Sequence, residues 1–81
     1  MTTIMGVRIA DREKNAKTVQ NILTEYGCYI KTRLGLHEAV NACSSSGIIL
    51  LEFVENTDEY SRELMGKLQA IDSVTVKTMI F

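Results

Sequence analysis

Residues 47–54, Gly-Ile-Ile-Leu-Leu-Glu-Phe-Val, read as a β-strand that is apolar on both faces. Side chains alternate across a strand, so Ile49, Leu51 and Phe53 point one way while Ile48, Leu50, Glu52 and Val54 point the other. Such a strand needs cover on both sides. Within 81 residues only two segments carry helical periodicity, enough to cover one.

The flanking sequence supplies the rest of a sheet. Residues 3–10 alternate Met5, Val7 and Ile9 against Ile4, Gly6, Arg8 and Ala10, the period of two expected of a strand with one buried face. Asp11 is a good N-cap, and Ala16, Val19, Leu23 and Tyr26 then recur at helical spacing until Gly27, a plausible helix stop. Residues 28–35 alternate Ile30, Thr32 and Leu34 against Tyr29, Lys31 and Arg33, which predicts an edge strand with a charged outer face. Beyond the two-sided strand, Asn56 and Glu59 stand at capping-box spacing. They open a helix expected from about Thr57 to Ala70 that buries Tyr60, Leu64, Leu68 and Ile71. Gly66 inside it implies either a close approach or a tolerated surface glycine. A turn at Asp72-Ser73 leads to a last strand with Val74, Val76, Thr78 and Ile80.

The order is βαββαβ, and right-handed crossovers place both helices on the same side of the sheet. The expected fold is therefore α+β: a ferredoxin-like two-layer sandwich in a single domain spanning residues 1–81. Its four-stranded antiparallel sheet has the first and third strands central and two helices on one face.

With Met5, Val7, Ile9, Ile49, Leu51 and Phe53 facing the helices, a second face remains. It carries Ile4, Gly6, Arg8, Ile48, Leu50, Glu52, Val54, Met79 and Phe81. Fully burying one Leu or Ile side chain is worth ~1.5–3 kcal/mol, and contiguous exposed apolar patches of more than a few hundred Å² mark interfaces. A homo-oligomer, dimer or tetramer, is expected through Ile4, Arg8, Ile48, Leu50, Glu52, Val54 and Met79. Arg8 and Glu52 at the centre, with Lys31, Arg33 and Lys77 around them, can set the register of a symmetric contact. The alternative is that Met79-Ile80-Phe81 folds back over its own sheet.

Chemistry is sparser. Formal net charge is −1, with basic and acidic residues mixed along the chain, so no long-range field recruits nucleic acid or anionic lipid. The outward positions of the third strand lack the aromatic rings of an RNA-binding sheet, and Tyr29, Lys31 and Arg33 form the only small basic-aromatic stripe. Direct nucleic-acid binding and membrane association are not expected. The N-terminus has no cationic leader, no apolar run approaches the ~20 residues of a membrane helix, and Cys28 and Cys43 fit no disulfide framework, so a cytoplasmic protein with reduced thiols is expected.

The segment between the second and third strands, residues 36–46, is long for a hairpin and contains the only histidine, His37, together with Cys43. Both are suited to zinc, nickel, copper or iron, which makes His37 and Cys43 the candidate ligand or metal residues. Their spacing matches no metal signature, so packing against a neighbouring subunit or a merely connecting role stay open, and the residues specify no cofactor. Nucleophilic catalysis would need a third orienting group and oxyanion donors that the spacing does not imply, so no enzyme is expected.

Asp11-Arg12 followed by Ala16 and Val19, Arg33-Leu34-Gly35, the apolar strand after Gly47, Leu64-Met65-Gly66-Lys67-Leu68 and Val74-Thr75-Val76-Lys77 together resemble the proposed regulators of the iron-only hydrogenase system. The resemblance implies an ACT-like fold similar to the C-terminal domain of the nickel-responsive repressor, and a place in transcription regulation. That repressor adds a DNA-binding segment and a multi-histidine metal site, whereas this chain opens at its first strand with one histidine. Asp72-Ser73 stands where the family often has glycine, and Ala10-Asp11-Arg12 differs from the glycine-containing turn of amino-acid-binding ACT domains. The implied function is that of a non-enzymatic domain that oligomerises and senses a small ligand or metal, or docks to a partner protein. The alternatives are a structural scaffold module and a metal-trafficking protein.

Overall fold

Strand alternation and two amphipathic helices produce the expected order in a computed structural model, which describes residues 1–36 and 47–81. The elements are β1 (Thr3–Ile9), α1 (Arg12–Glu25), a 3-10 turn (Gly27–Tyr29), β2 (Ile30–Leu36), β3 (Gly47–Phe53), α2 (Asp58–Gln69) and β4 (Val74–Ile80). The sheet runs β2-β3-β1-β4, all pairs antiparallel, with β1 and β3 central. This is the ferredoxin-like α+β sandwich. Among the described residues no helix is long and apolar enough to cross a membrane.

The core lies between sheet and helices. Met5, Val7 and Ile9 from β1, Leu51 and Phe53 from β3 and Val76 from β4 meet Val19, Leu23 and Tyr26 of the first helical layer and Leu64 and Leu68 of α2. Asp11 caps α1 as expected, accepting from the Lys14 amide at 3.2 Å. The buried stripe of α1 keeps Val19, Leu23 and Tyr26 as expected and departs only at its start, where Asn15 is buried and Ala16 is half-buried. Asn15 reaches across the molecule to donate its Nδ2–H to the Asp72 carbonyl at 2.9 Å, and the Ala10 amide donates to the Ser73 carbonyl at 2.8 Å. These two bonds fasten the β1–α1 junction to the turn before β4.

Three local expectations are corrected. Asn56 does not cap α2: it takes a left-handed backbone, φ 64°, and the helix starts after Thr57, whose hydroxyl donates to the Val54 carbonyl. α1 does stop just before Gly27, with C-cap Tyr26, but Gly27 takes no left-handed backbone and the chain tightens there into the 3-10 turn. Tyr60 belongs to the apolar stripe of α2 but is partly exposed, and it stacks on Tyr29 with ring centroids 3.9 Å apart and planes 5° from parallel. Hydrogen bonding to Tyr60, with some desolvation, raises the Tyr29 hydroxyl above the ordinary tyrosine range.

The correction with most consequence lies in β2. Ile30 pairs with Phe53 but Thr32 pairs with Glu52, so Lys31 is an extra residue in a β-bulge. A bulge reverses the alternation beyond it. Ile30 stays on the helix side, while Thr32, Leu34 and Leu36 turn to the open side opposite Glu52, Leu50 and Ile48. Arg33, opposite Leu51, therefore faces the helix side rather than joining the charges of the open face. The outer face of the edge strand is apolar, not charged. The stripe of Tyr29, Lys31 and Arg33 is also broken up, because Tyr29 packs on α2 and Lys31 approaches Glu52.

Two substitutions test these local arguments. Ser73 has φ 70°, a conformation that costs a non-glycine residue ~1 kcal/mol, and a Cβ built on Gly66 meets nothing within 4 Å. Ser73→Gly and Gly66→Ala are each expected to raise unfolding free energy by about 0.5–1 kcal/mol in urea titrations. Asn15→Ala, which leaves the Asp72 carbonyl without its donor, is expected to lower it by about 1–2 kcal/mol in the same experiment.

Candidate functional site

The face of the sheet turned away from the helices is open. Ile4, Gly6 and Arg8 of β1 stand beside Ile48, Leu50 and Glu52 of β3 in register, Ile4 opposite Glu52, Gly6 opposite Leu50 and Arg8 opposite Ile48. Met79 of β4 lies opposite Ile4 and Lys77 opposite Gly6. The structure thus brings Ile4, Arg8, Ile48, Leu50, Glu52 and Met79 onto one surface, with Val54 exposed just beyond the end of β3. Ile48, Val54 and Met79 are 39%, 42% and 54% exposed, while Ile4 and Leu50 are half-buried by their neighbours.

The surface is larger than the sequence indicated. The bulge adds Leu34 and Leu36, 52% and 43% exposed, at the β2 edge. At the opposite edge Phe81 exchanges backbone hydrogen bonds with Thr2, continuing the ladder without covering the face, and its side chain is 74% exposed. The C-terminal residues therefore extend the sheet instead of folding back over it. Glu52 is the polar centre: its carboxylate accepts from the Thr32 hydroxyl at 3.0 Å and lies 3.8 Å from the Lys31 ammonium. Arg8 is exposed on the same face.

A second feature lies on the helix side, where α1 crosses the β2–β3 corner. There a cleft of about 460 Å³ opens between the first turns of α1, which contribute Arg12, Ala16 and Gln20, and the sheet, which contributes Ile9, Arg33, Gly35, Gly47, Ile48 and Ile49. It exists because the residues that would fill it are small. Gly35 and Gly47 leave the sheet bare at this corner, and Ala16 holds no bulk above it. The Arg12 stem lies down on this bare backbone, so close that a Cβ on Gly47 would stand 3.1 Å from the arginine Cδ. Arg33 reaches the cleft only because of the bulge. An uninterrupted alternation placed it on the other side, which is why sequence reasoning missed the site.

His37 and Cys43 lie outside the described residues. Among the described residues there is no group of three His, Cys, Asp or Glu side chains able to hold a metal ion, and Cys28 is an exposed free thiol.

Comparison with known proteins agrees with this architecture. Uncharacterized protein TM1266 from Thermotoga maritima superposes with a TM-score of 0.79 at 29% identity, covering 96% of this chain and 92% of that one. A formyltetrahydrofolate deformylase from Pseudomonas putida KT2440 superposes with a TM-score of 0.61 at 15% identity, and the match spans this whole chain but only 29% of that enzyme, a likeness of fold. No curated protein matches the chain. The TM1266-like family profile matches residues 2–78. By that match, nearly end to end, the chain belongs to the TM1266-like family, the proposed regulators of the iron-only hydrogenase system.

Proposed function

We propose that this domain regulates the iron-only hydrogenase system in the cytoplasm without catalysing a reaction, that it works as a homo-oligomer joined through the open sheet face, and that it responds to a small ligand. Family membership supports the regulatory part. The observation that carries self-association is the open face itself, where Leu34, Leu36, Ile48 and Met79 remain exposed beside half-buried Ile4 and Leu50. A surface of that kind is covered in the working state.

A second copy fits it by charge as well as by apolarity. Arg8 lies two residues to one side of the Gly6–Leu50 level on β1, and Glu52 lies two residues to the other side on β3. A two-fold axis crossing the strands at that level stacks two sheets face to face and sets Arg8 of each copy beside Glu52 of the other. Sheets pack ~10 Å apart, within the joint reach of the two side chains. Regulation then follows from the effect of a bound ligand on the assembly or on its docking to a partner protein.

Sedimentation equilibrium at micromolar concentration is expected to give a dimer or tetramer. Leu50→Glu is expected to give a monomer with unchanged far-ultraviolet circular dichroism, because Leu50 is outside the core. A wild-type monomer refutes sheet-face assembly. Arg8→Glu is expected to weaken association about tenfold, the equivalent of ~1.4 kcal/mol, with Glu52→Arg restoring part of the loss in the double variant. In the native host, replacing the gene with the Leu50→Glu variant is expected to alter hydrogenase activity as a deletion does. Unchanged hydrogenase activity in both strains refutes the regulatory role.

A further inference from the structure

The sheet has two edges, and only one is blunted. β2 carries the bulge at Lys31, a device that turns an edge away from further pairing, whereas β4 keeps an uninterrupted register with β1 over all seven of its residues. Antiparallel pairing decides which backbone groups β4 leaves over. Phe81 exchanges both hydrogen bonds with Thr2, and bonded pairs recur at every second residue, so Met79, Lys77 and Thr75 also turn their amides and carbonyls toward β1. Those of Val76, Thr78 and Ile80 point outward, and no other described backbone group pairs with them. The free stretch begins after Val74, whose amide donates to the Ile71 carbonyl at 3.3 Å.

A groove of about 180 Å³ runs beside this stretch on the helix side, between β4 and α2. Thr78 and Ile80 line it from β4 and Ser61 and Met65 from α2, with Met1 and Thr3 closing its β1 end. Asp58 and Arg62 set opposite charges at the α2 wall, so what the groove selects is decided by its apolar surface, Met65 and an Ile80 that is 62% exposed. The volume is below the ~300–1,000 Å³ of small-molecule sites and suits a single side chain. The groove lies at the Ile80 end of β4. The β2–β3 connection leaves from the other end, where Gly47 pairs with Ile9 and Ile9 with Val74.

An outward row of donors and acceptors beside a pocket of side-chain size is the arrangement that receives an added strand, in which backbone bonds supply affinity and alternate side chains supply specificity. Charge then selects among strands. β4 carries Lys77 on the open side and has no acidic residue, so a second copy of β4 would bring only another lysine to the seam, whereas a strand with acidic residues there supplies the counter-charge.

We propose that β4 takes an extended segment of a partner protein as an antiparallel fifth strand, with one aliphatic side chain in the β4–α2 groove and acidic neighbours on the open side beside Lys77. The proposal rests on the reading of the domain as one that docks to a partner protein, and it names the form of that partner.

The test is a titration of the full ¹⁵N-labelled chain, followed by NMR, with the end-blocked peptide Thr-Val-Asp-Ile-Glu-Val-Thr. Saturable shifts and slowed hydrogen exchange are expected at the Val76, Thr78 and Ile80 amides. Methylating the backbone nitrogen of the peptide's isoleucine, which faces β4, is expected to abolish binding, and methylating that of its aspartate, which faces away, to leave it. A peptide with lysine at both acidic positions is expected to bind at least about threefold more weakly, and Lys77→Glu to reverse that preference. Thr78→Pro removes an outward donor without touching the ladder to β1 and is expected to weaken binding at least about fivefold. Absence of saturable shifts at these amides through the millimolar range overturns the proposal, as does equal loss from the two methylations. Shifts at the same amides that depend on protein concentration without peptide, with a dimer that survives Leu50→Glu, make a second copy the occupant and also overturn it. An unresponsive edge in a chain whose Leu50→Glu strain alters hydrogenase activity rejects the edge site alone. Peptide binding with unchanged hydrogenase activity supports the edge site and rejects the regulatory role.

Discussion

Two helices can shield one side of a four-stranded sheet, and every other feature of this domain is arranged around that limit. The central pair β1 and β3 sends Met5, Val7, Ile9, Leu51 and Phe53 into the helix layer, where they are nearly or fully buried. The alternating positions of the same strands have no second layer to meet. Ile4, Ile48 and Leu50 are as apolar as their buried neighbours, so the free energy of removing them from water, ~1.5–3 kcal/mol for each side chain fully covered, remains available to association. The polar groups set into that surface are tied down locally, with Glu52 held by Thr32 and Lys31, which lowers the cost of bringing them into a contact.

The fold was legible because it depends on periodicity, which composition and spacing display directly. The period of two in β1 and β3, the helical recurrence of Val19 and Leu23 and of Leu64 and Leu68, and the Asp11 cap each correspond to an element or a cap in the structure. The legible part of the open face has the same origin: Ile48, Leu50 and Glu52 are placed by alternation alone. What was not legible depends on single residues whose conformation is set by the tertiary structure. Asn56 and Ser73 take left-handed backbones, which removes the expected capping box and leaves a serine at a turn that favours glycine. The extra residue at Lys31 carries no sequence signal of its own, and it moved Arg33 and Leu34 to opposite faces from those expected, while Leu36, expected between the strands, ends β2 on the open side.

That bulge explains why the cleft and the open face must be understood together. Without it the β2 edge would present lysine and arginine outward, a common protection for an exposed edge strand, and leucine inward. With it, the leucines enlarge the apolar face and the arginine enters the helix-side corner where Gly35 and Gly47 leave space. One inserted residue therefore gives the domain a broader apolar face and places an arginine at the helix-side cleft at once. Bulges are frequent beside functional sites because they re-aim a side chain without changing the topology around it.

The same alternation joins the two surfaces mechanically. Arg33 and Leu34 are consecutive residues of one strand, as are Gly35 and Leu36, with the first of each pair turned to the cleft and the second to the open face. β2 is an edge strand, paired only with β3, so its position is less constrained than that of the central strands. A change in the backbone at Arg33 or Gly35 necessarily displaces the leucine beside it. One strand, read on its two faces, therefore connects the helix-side cleft to the open sheet face without any distant pathway.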